Sequence, residues 1–244
     1  MAPAMKNISL ATVGAVCALV TVAGFVVGIA LAVSSGVPTL IPETGEEGVE
    51  WIADVEDAGG LFFVGAWLVI FAGLFGLVAL LGFYDVLREA GPVMIVAPVA
   101  AVVGLTLVTL SHVIPVAMAY ELAPGYSEAS GATQAALGVT TDTLASLSLL
   151  TNYVGNALGW GVVVPLYAIA ILKTRILPRW IGWLGMVVAV FAGWLGLLGP
   201  ASSVIEGVTV IGFFGFFVFM ASMGIAILRR QRRSASVASP PAAA

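Results

Sequence analysis

His112 stands in the stretch "TLSHVIPVAMAYE", beside Ser111 and three residues ahead of Pro115, and is the chain's single histidine. A second polar group lies in "SLLTNYVGNALGWG", where Ser148, Asn152 and Asn156 recur every four residues. An imidazole among hydroxyls and amides can hold or relay a proton, or hydrogen-bond a solute. Both groups interrupt long apolar runs, where an unpartnered amide in hydrocarbon costs several kcal/mol. Each must therefore face protein or water. At 100° per residue, Ser148, Asn152, Gly155, Asn156 and Gly159 fall within about 80° of one another, on one narrow stripe. Pro115 cannot donate to the carbonyl of Ser111, so a freed acceptor joins Thr109, Ser111 and His112.

Other chemistry is excluded by what the chain lacks. One histidine and one cysteine, Cys17, cannot build a His- or Cys-rich metal centre, a bis-histidine haem site or an internal disulfide. There is no Walker-type phosphate loop and no serine elbow with a histidine partner. The last apolar run has no lysine for a retinal Schiff base, and no carboxylate lies at mid-membrane depth to relay protons or sodium. The acidic stretch after the first run lacks the alternating aspartates of a calcium loop. The expectation is a non-enzymatic protein with no catalytic residue, cofactor or metal, and with the lipid bilayer, not nucleic acid, as its partner.

The elements that position these residues follow from composition. The chain is 61% apolar and only 9% charged, with nine basic and thirteen acidic residues, too few charges to cover a soluble surface. A bilayer core of about 30 Å needs about 20 apolar residues. Residues 8–33, 60–83, 92–119, 146–172, 180–199 and 207–228 qualify, which predicts an all-α bundle of six transmembrane helices within residues 1–230. A seventh span would have to come from "ATQAALGVTTDTLASLS", whose hydroxyls and Asp142 suit a polar outer extension of span four instead. The first run could be read as a signal peptide ending at "ALA" (residues 30–32), but its apolar stretch is longer than the usual core of such a peptide.

Charge placement supplies the threading. Glu43, Glu46, Glu47, Glu50, Asp54, Glu56 and Asp57 fill the first loop without a basic residue, and Glu121, Glu128, Asp142 and Glu206 fall on the same side. Lys6, Arg88, Lys173, Arg175, Arg179, Arg229, Arg230, Arg232 and Arg233 all fall on the other side, with Asp85 and Glu89. By the positive-inside rule both termini are cytoplasmic. The residues after the arginines, within 231–244, read as a disordered tail. Trp51, Trp180, Trp183 and Trp194 are expected at the headgroup level. Small-residue pairs (Gly24 and Gly28, Ala72 and Gly76, Ala100 and Gly104, Gly155 and Gly159) suit close helix packing within the bundle or in a homo-oligomer.

By helix rise, His112 and Asn152 both lie roughly 10 to 12 Å below the outer boundary. Ser111, His112, Ser148, Asn152 and Asn156 could therefore form a cluster that only fastens spans three and four together, the mark of a structural or regulatory protein. The alternative is that they line an outward-facing cavity between those spans, in a small-solute permease or binding protein.

The stretch "NYVGNALGWGVVVPLYAIAILKTRILPRWIGWLGMVVAVFAGWL" (residues 152–195) resembles the signature region of a large group of bacterial multi-pass membrane proteins catalogued as a domain of unknown function. In that pattern an apolar helix runs into a short basic loop, a Leu-Pro-basic turn and a Gly-rich helix. The matching positions are Leu172, Lys173, Leu177, Pro178, Arg179, Gly182 and Gly185. The resemblance implies about six helices in a prokaryotic plasma membrane and carries over no activity.

Overall fold

The computed structural model describes residues 9–201 and 203–237. Among them six helices are long and apolar enough to cross a membrane: Leu10–Ser34, Gly60–Ala90, Pro92–Glu121, Gly131–Thr174, Arg179–Leu198 and Gly207–Ser234. The expected all-α architecture with six spans is what the chain forms. Lys6 and residues 238–244 lie outside the described residues, as does the side chain of Glu206. The last helix runs on to Val237, through the first part of the stretch expected to be disordered.

The α-helical segments are α1 (Leu10–Ser34), α2 (Glu46–Ala58), α3 (Gly60–Leu87), α4 (Val96–Glu121), α5 (Gly131–Leu158), α6 (Val164–Thr174), α7 (Arg179–Val188) and α8 (Ser203–Val237). Ser9 caps α1 by accepting the Thr12 N–H at 3.2 Å, which satisfies one orphan donor of the first turn. Gly59 (φ +63°) turns the chain from α2 into α3, and Gly91 (φ +145°) with Pro92 turns it towards α4. Such backbone angles favour glycine because it has no Cβ. At the end of α6, Arg175 (φ +56°) returns its N–H to Ile171 O at 2.9 Å, and Pro178 then precedes α7.

Consecutive spans pack as neighbours: α1 on α3, α3 on α4, α4 on α5, α6 on α7 and α7 on α8. Helix α8 returns to α1 and closes the ring. Lipid offers no hydrophobic drive between helices, so association depends on how closely backbones approach. A Cβ built on Gly14 would lie 2.5 Å from Gly82 Cα, and one on Gly155 would lie 2.7 Å from Gly104 O. Gly24 and Gly28 of α1 likewise face Ala72 and Val69 of α3. The small-residue faces noted in the sequence are thus occupied inside the bundle.

All the described basic residues fall at one end of the ring, where Arg88 pairs with Asp85 at 3.5 Å. That half is solid. Tyr167 is fully buried there, donates its hydroxyl to Leu80 O at 2.7 Å and meets Phe83 edge-on at 6.3 Å. Leu87, Ile171 and Ile181, each with no exposed surface, fill the space around it. Tyr167→Phe removes the one donor that reaches the Leu80 carbonyl across the bundle. It is expected to cost about 1 kcal/mol in thermal unfolding of the detergent-solubilised protein.

The acidic end differs from expectation in two respects. The stretch read as a solvated acidic loop contains helix α2, whose Gly48, Trp51, Ile52 and Val55 are buried while Glu46, Glu47, Glu50, Asp54 and Asp57 are exposed. Trp51 is packed inside the protein and does not face lipid: it is 2% exposed, its Nε1 donates to Thr39 O at 2.8 Å and its ring stands edge-on to Phe62. Trp180, Trp183 and Trp194 are exposed, as an interfacial position requires. Helix α2 packs on α3, α4 and the outer part of α5. Two carboxylates pin this cap, Asp142 Oδ1 accepting the Gly45 N–H at 2.7 Å and Glu56 accepting the N–H groups of Gly125 and Ser127 at 3.0 and 3.2 Å. The polar stretch before span four is indeed its extension: Gly131–Thr174 is one 44-residue span, about 66 Å long at 1.5 Å per residue, more than twice the bilayer core.

Two π-helical segments interrupt the α-helices, Gly159–Val163 between α5 and α6 and Ala189–Trp194 after α7. In the first, Val164 N–H bonds Gly159 O five residues back, and Pro165 next to it has no N–H to give. The two segments press against each other, since a Cβ on Gly193 would lie 2.5 Å from Gly161 N. Wide turns of this kind often mark functional sites.

Candidate functional site: a polar seam beside a central cavity

Helices α4 and α5 close on each other along the expected stripe. Ser148 Oγ donates to Ser111 O at 2.5 Å, the carbonyl that Pro115 leaves without its helical donor. Ser111 Oγ donates to Val108 O at 2.7 Å and accepts Asn152 Nδ2 at 3.0 Å. Asn156 Nδ2 then donates to Asn152 Oδ1 at 2.7 Å. His112 folds back on its own helix, with Nδ1 2.8 Å from Val108 O and 3.3 Å from Ser111 Oγ. All five residues singled out in the sequence belong to one network, with Ser111, fully buried, at its hub.

Thr109 does not join them. It lines a shallow groove between α3 and α4 on the outside of the ring, with Leu110 and Val113. The space between α4 and α5 is likewise no cavity, since the seam and the Gly104–Gly155 approach fill it. The cavity lies behind the seam, in the middle of the ring, with a volume of about 270 Å³. Every span contributes to its wall, including Thr21 of α1, Gly76 of α3, His112 of α4, Asn156 of α5, Gly193 of the second π segment and Phe217 of α8.

The wall is two-sided. His112, Asn152 and Asn156 form a polar strip, and Phe25, Trp160, Phe213, Phe216, Phe217 and Met220 form an apolar one. The aromatic side is a packed unit: Phe213 meets Phe217 at 4.5 Å between ring centroids, and Trp160 meets Phe216 at 5.5 Å. Among the described residues, none that lines the cavity is an Asp, Glu, Lys or Arg. An apolar pocket with a few convergent polar groups is the usual form of a small-molecule site. Among the described residues no cluster of three His, Cys, Asp or Glu side chains could hold a metal ion.

The sequence signalled the polar strip by its four-residue spacing, but not the aromatic side. The phenylalanines of "GFFGFFVF" read as ordinary span residues, because lipid-facing and cavity-facing rings are equally apolar. Pro165 was the one pointer to the π segment that brings Trp160 to the wall.

The residues of the basic turn have structural work. A Cβ on Gly182 would lie 2.8 Å from Leu172 Cγ, and one on Gly185 would lie 2.9 Å from the Phe219 ring. Leu177 is buried, and Pro178 sets the entry to α7. Glycines at those two positions let α6, α7 and α8 meet. No curated protein and no solved structure matches the chain. One family does, described as Domain of unknown function (DUF4386), over residues 12–228, and the chain belongs to that family.

Proposed function

We propose that this is a non-enzymatic, small-molecule-binding protein of a bacterial cytoplasmic membrane, with both termini in the cytoplasm and its ligand site in the central cavity. The observation that carries the reading is the two-sided wall: a hydrogen-bonded polar strip opposite an aromatic one, enclosing about 270 Å³. The fastening role expected of the polar residues belongs to the same reading, because the bonds that lock α4 on α5 also fix the amides along the wall. Binding is favoured over permeation by the solid core around Tyr167, Phe83 and Leu87, which blocks the basic half of the ring.

The test is photolabelling in membranes with a diazirine-bearing 1-octanol. Saturable labelling of the peptides carrying residues 152–160 and 213–220 is expected, lost when Leu105→Trp or Thr209→Trp fills the cavity. Labelling confined to lipid-facing residues such as Phe71 and Val99, both more than half exposed, would leave the polar seam as a brace alone.

The orientation rests on the placement of basic residues. A cytoplasm-active reporter joined after Arg233 is expected to work, and the same reporter joined near Glu47 is expected to be silent. The reverse pattern would invert the topology.

A further inference from the structure

The polarity of the cavity wall is set by one carbonyl. Val108 O can only accept, so both Ser111 Oγ and His112 Nδ1, at 2.7 and 2.8 Å, must donate to it. With its proton committed, Ser111 Oγ is an acceptor for Asn152 Nδ2, which leaves Asn152 Oδ1 to accept from Asn156 Nδ2. The chain of donors therefore runs one way, from Asn156 through Asn152 and Ser111 to Val108 O. Its two ends present acceptors: Asn156 Oδ1 and, in the neutral ring, His112 Nε2. Neither has a partner among the described residues, and neither is a fully buried orphan, so both atoms reach open space and both residues line the cavity. Beside Asn156 Oδ1 remains one amide hydrogen of the same side chain, since only one of the two is used.

From this geometry we infer that the ligand is a neutral, mainly apolar molecule carrying a hydroxyl group, an inference that rests on the binding reading above. A hydroxyl donates one hydrogen and accepts another, which matches an acceptor pair with one spare amide hydrogen. The rest of the molecule lies against Phe213, Phe217 and Met220 on the facing wall. An ionised group finds no carboxylate, ammonium or guanidinium partner among the described lining residues, and an unpaired charge in such a place is strongly disfavoured. At about 30 Å³ per water-sized group, the cavity holds about nine non-hydrogen atoms, the size of a medium-chain alcohol or a small phenol.

The experiment is competition against the diazirine-bearing octanol in membranes, with labelling of lipid-facing peptides as the internal measure of partitioning. Four competitors are compared at equal membrane concentration: 1-octanol, octane, octyl sulfate and octyltrimethylammonium. Octanol is expected to displace the cavity label at about one fifth the concentration octane needs, the value of one neutral hydrogen bond, and the two ions are expected to leave it in place. Asn156→Leu is expected to keep the site but bring octanol and octane together; if that variant does not fold, the wild-type series decides alone. Equal potency of octane and octanol, or displacement by either ion, overturns the hydroxyl inference while the site stands. Absence of any saturable cavity label overturns the binding reading itself.

Discussion

Replacing Gly14 with valine is expected to destabilise the bundle by about 3 kcal/mol or more, a fall of about 10 °C in the thermal midpoint of the detergent-solubilised protein. A Cβ there would meet Gly82 Cα at 2.5 Å, Gly82 N at 3.1 Å and Ala79 O at 3.2 Å. These are backbone atoms, so no side chain can turn aside and α1 must move away from α3. Gly82→Val is expected to do the same, because a Cβ at Gly82 would lie 2.6 Å from Gly14 Cα and 2.9 Å from Leu10 O. The change also reaches the site, since α1 brings Thr21 and Phe25 to the cavity and α3 brings Gly73 and Gly76. Gly159→Ala is the control: it adds a Cβ where nothing lies within 4 Å. Its midpoint is expected to change by less than about 0.5 kcal/mol equivalent.

Ser111→Ala is expected to cost about 2 kcal/mol, and more of that loss comes from what it strands than from the hydroxyl itself. Asn152 Nδ2 loses its one acceptor among the described residues in a partly buried position, and a buried donor without a partner carries its full desolvation cost. The bond from Ser148 to the Ser111 carbonyl survives, so α4 and α5 stay together. What goes is the fixed direction of the amides. Asn152 can then turn its oxygen or its nitrogen towards Asn156, and the preference for octanol over octane is expected to fall along with stability. A double-mutant cycle separates the two effects. Adding Asn152→Leu to Ser111→Ala is expected to cost less than the sum of the single changes, because the stranded donor is gone. Thr151→Val, which removes bonds only to carbonyls of its own helix, Leu147 O and Ser148 O, is expected to stay within about 0.5 kcal/mol of wild type.

Much of this architecture was legible in the chain because the membrane limits what a helix can do. Apolar length located the six spans, with the ends of the first, third and fifth within a few residues, while the second and sixth run six or seven residues further and span four runs far out of the apolar zone. The one-sided distribution of arginine and lysine matched the end at which the described ones cluster. Four-residue spacing was enough to put Ser148, Asn152 and Asn156 on one face, and Pro115 was enough to expose the Ser111 carbonyl that Ser148 takes. Helix α2 was hidden by its own charge. Its buried positions, Gly48, Trp51, Ile52 and Val55, follow helical spacing, but seven carboxylates across residues 43–57 drew attention to solvation and away from periodicity. The cavity was beyond reach for another reason: it depends on which way α8 and the two π segments face, and in a span that is apolar all round the sequence carries no such label. The polar strip was visible; the aromatic wall opposite it was not.

A small hydroxyl-bearing molecule is expected in the middle of the ring, behind the α4–α5 seam. Crystals of the protein grown from a lipid mesophase and soaked with 8-bromo-1-octanol test it most directly, through the anomalous signal of bromine. The expected result is a bromine peak among Phe213, Phe217 and Met220, with the hydroxyl within hydrogen-bonding distance of Asn156 Oδ1 or His112 Nε2. A map with bromine only on the lipid-facing surface, and with the Phe217 ring packed directly against Asn156, would contradict it.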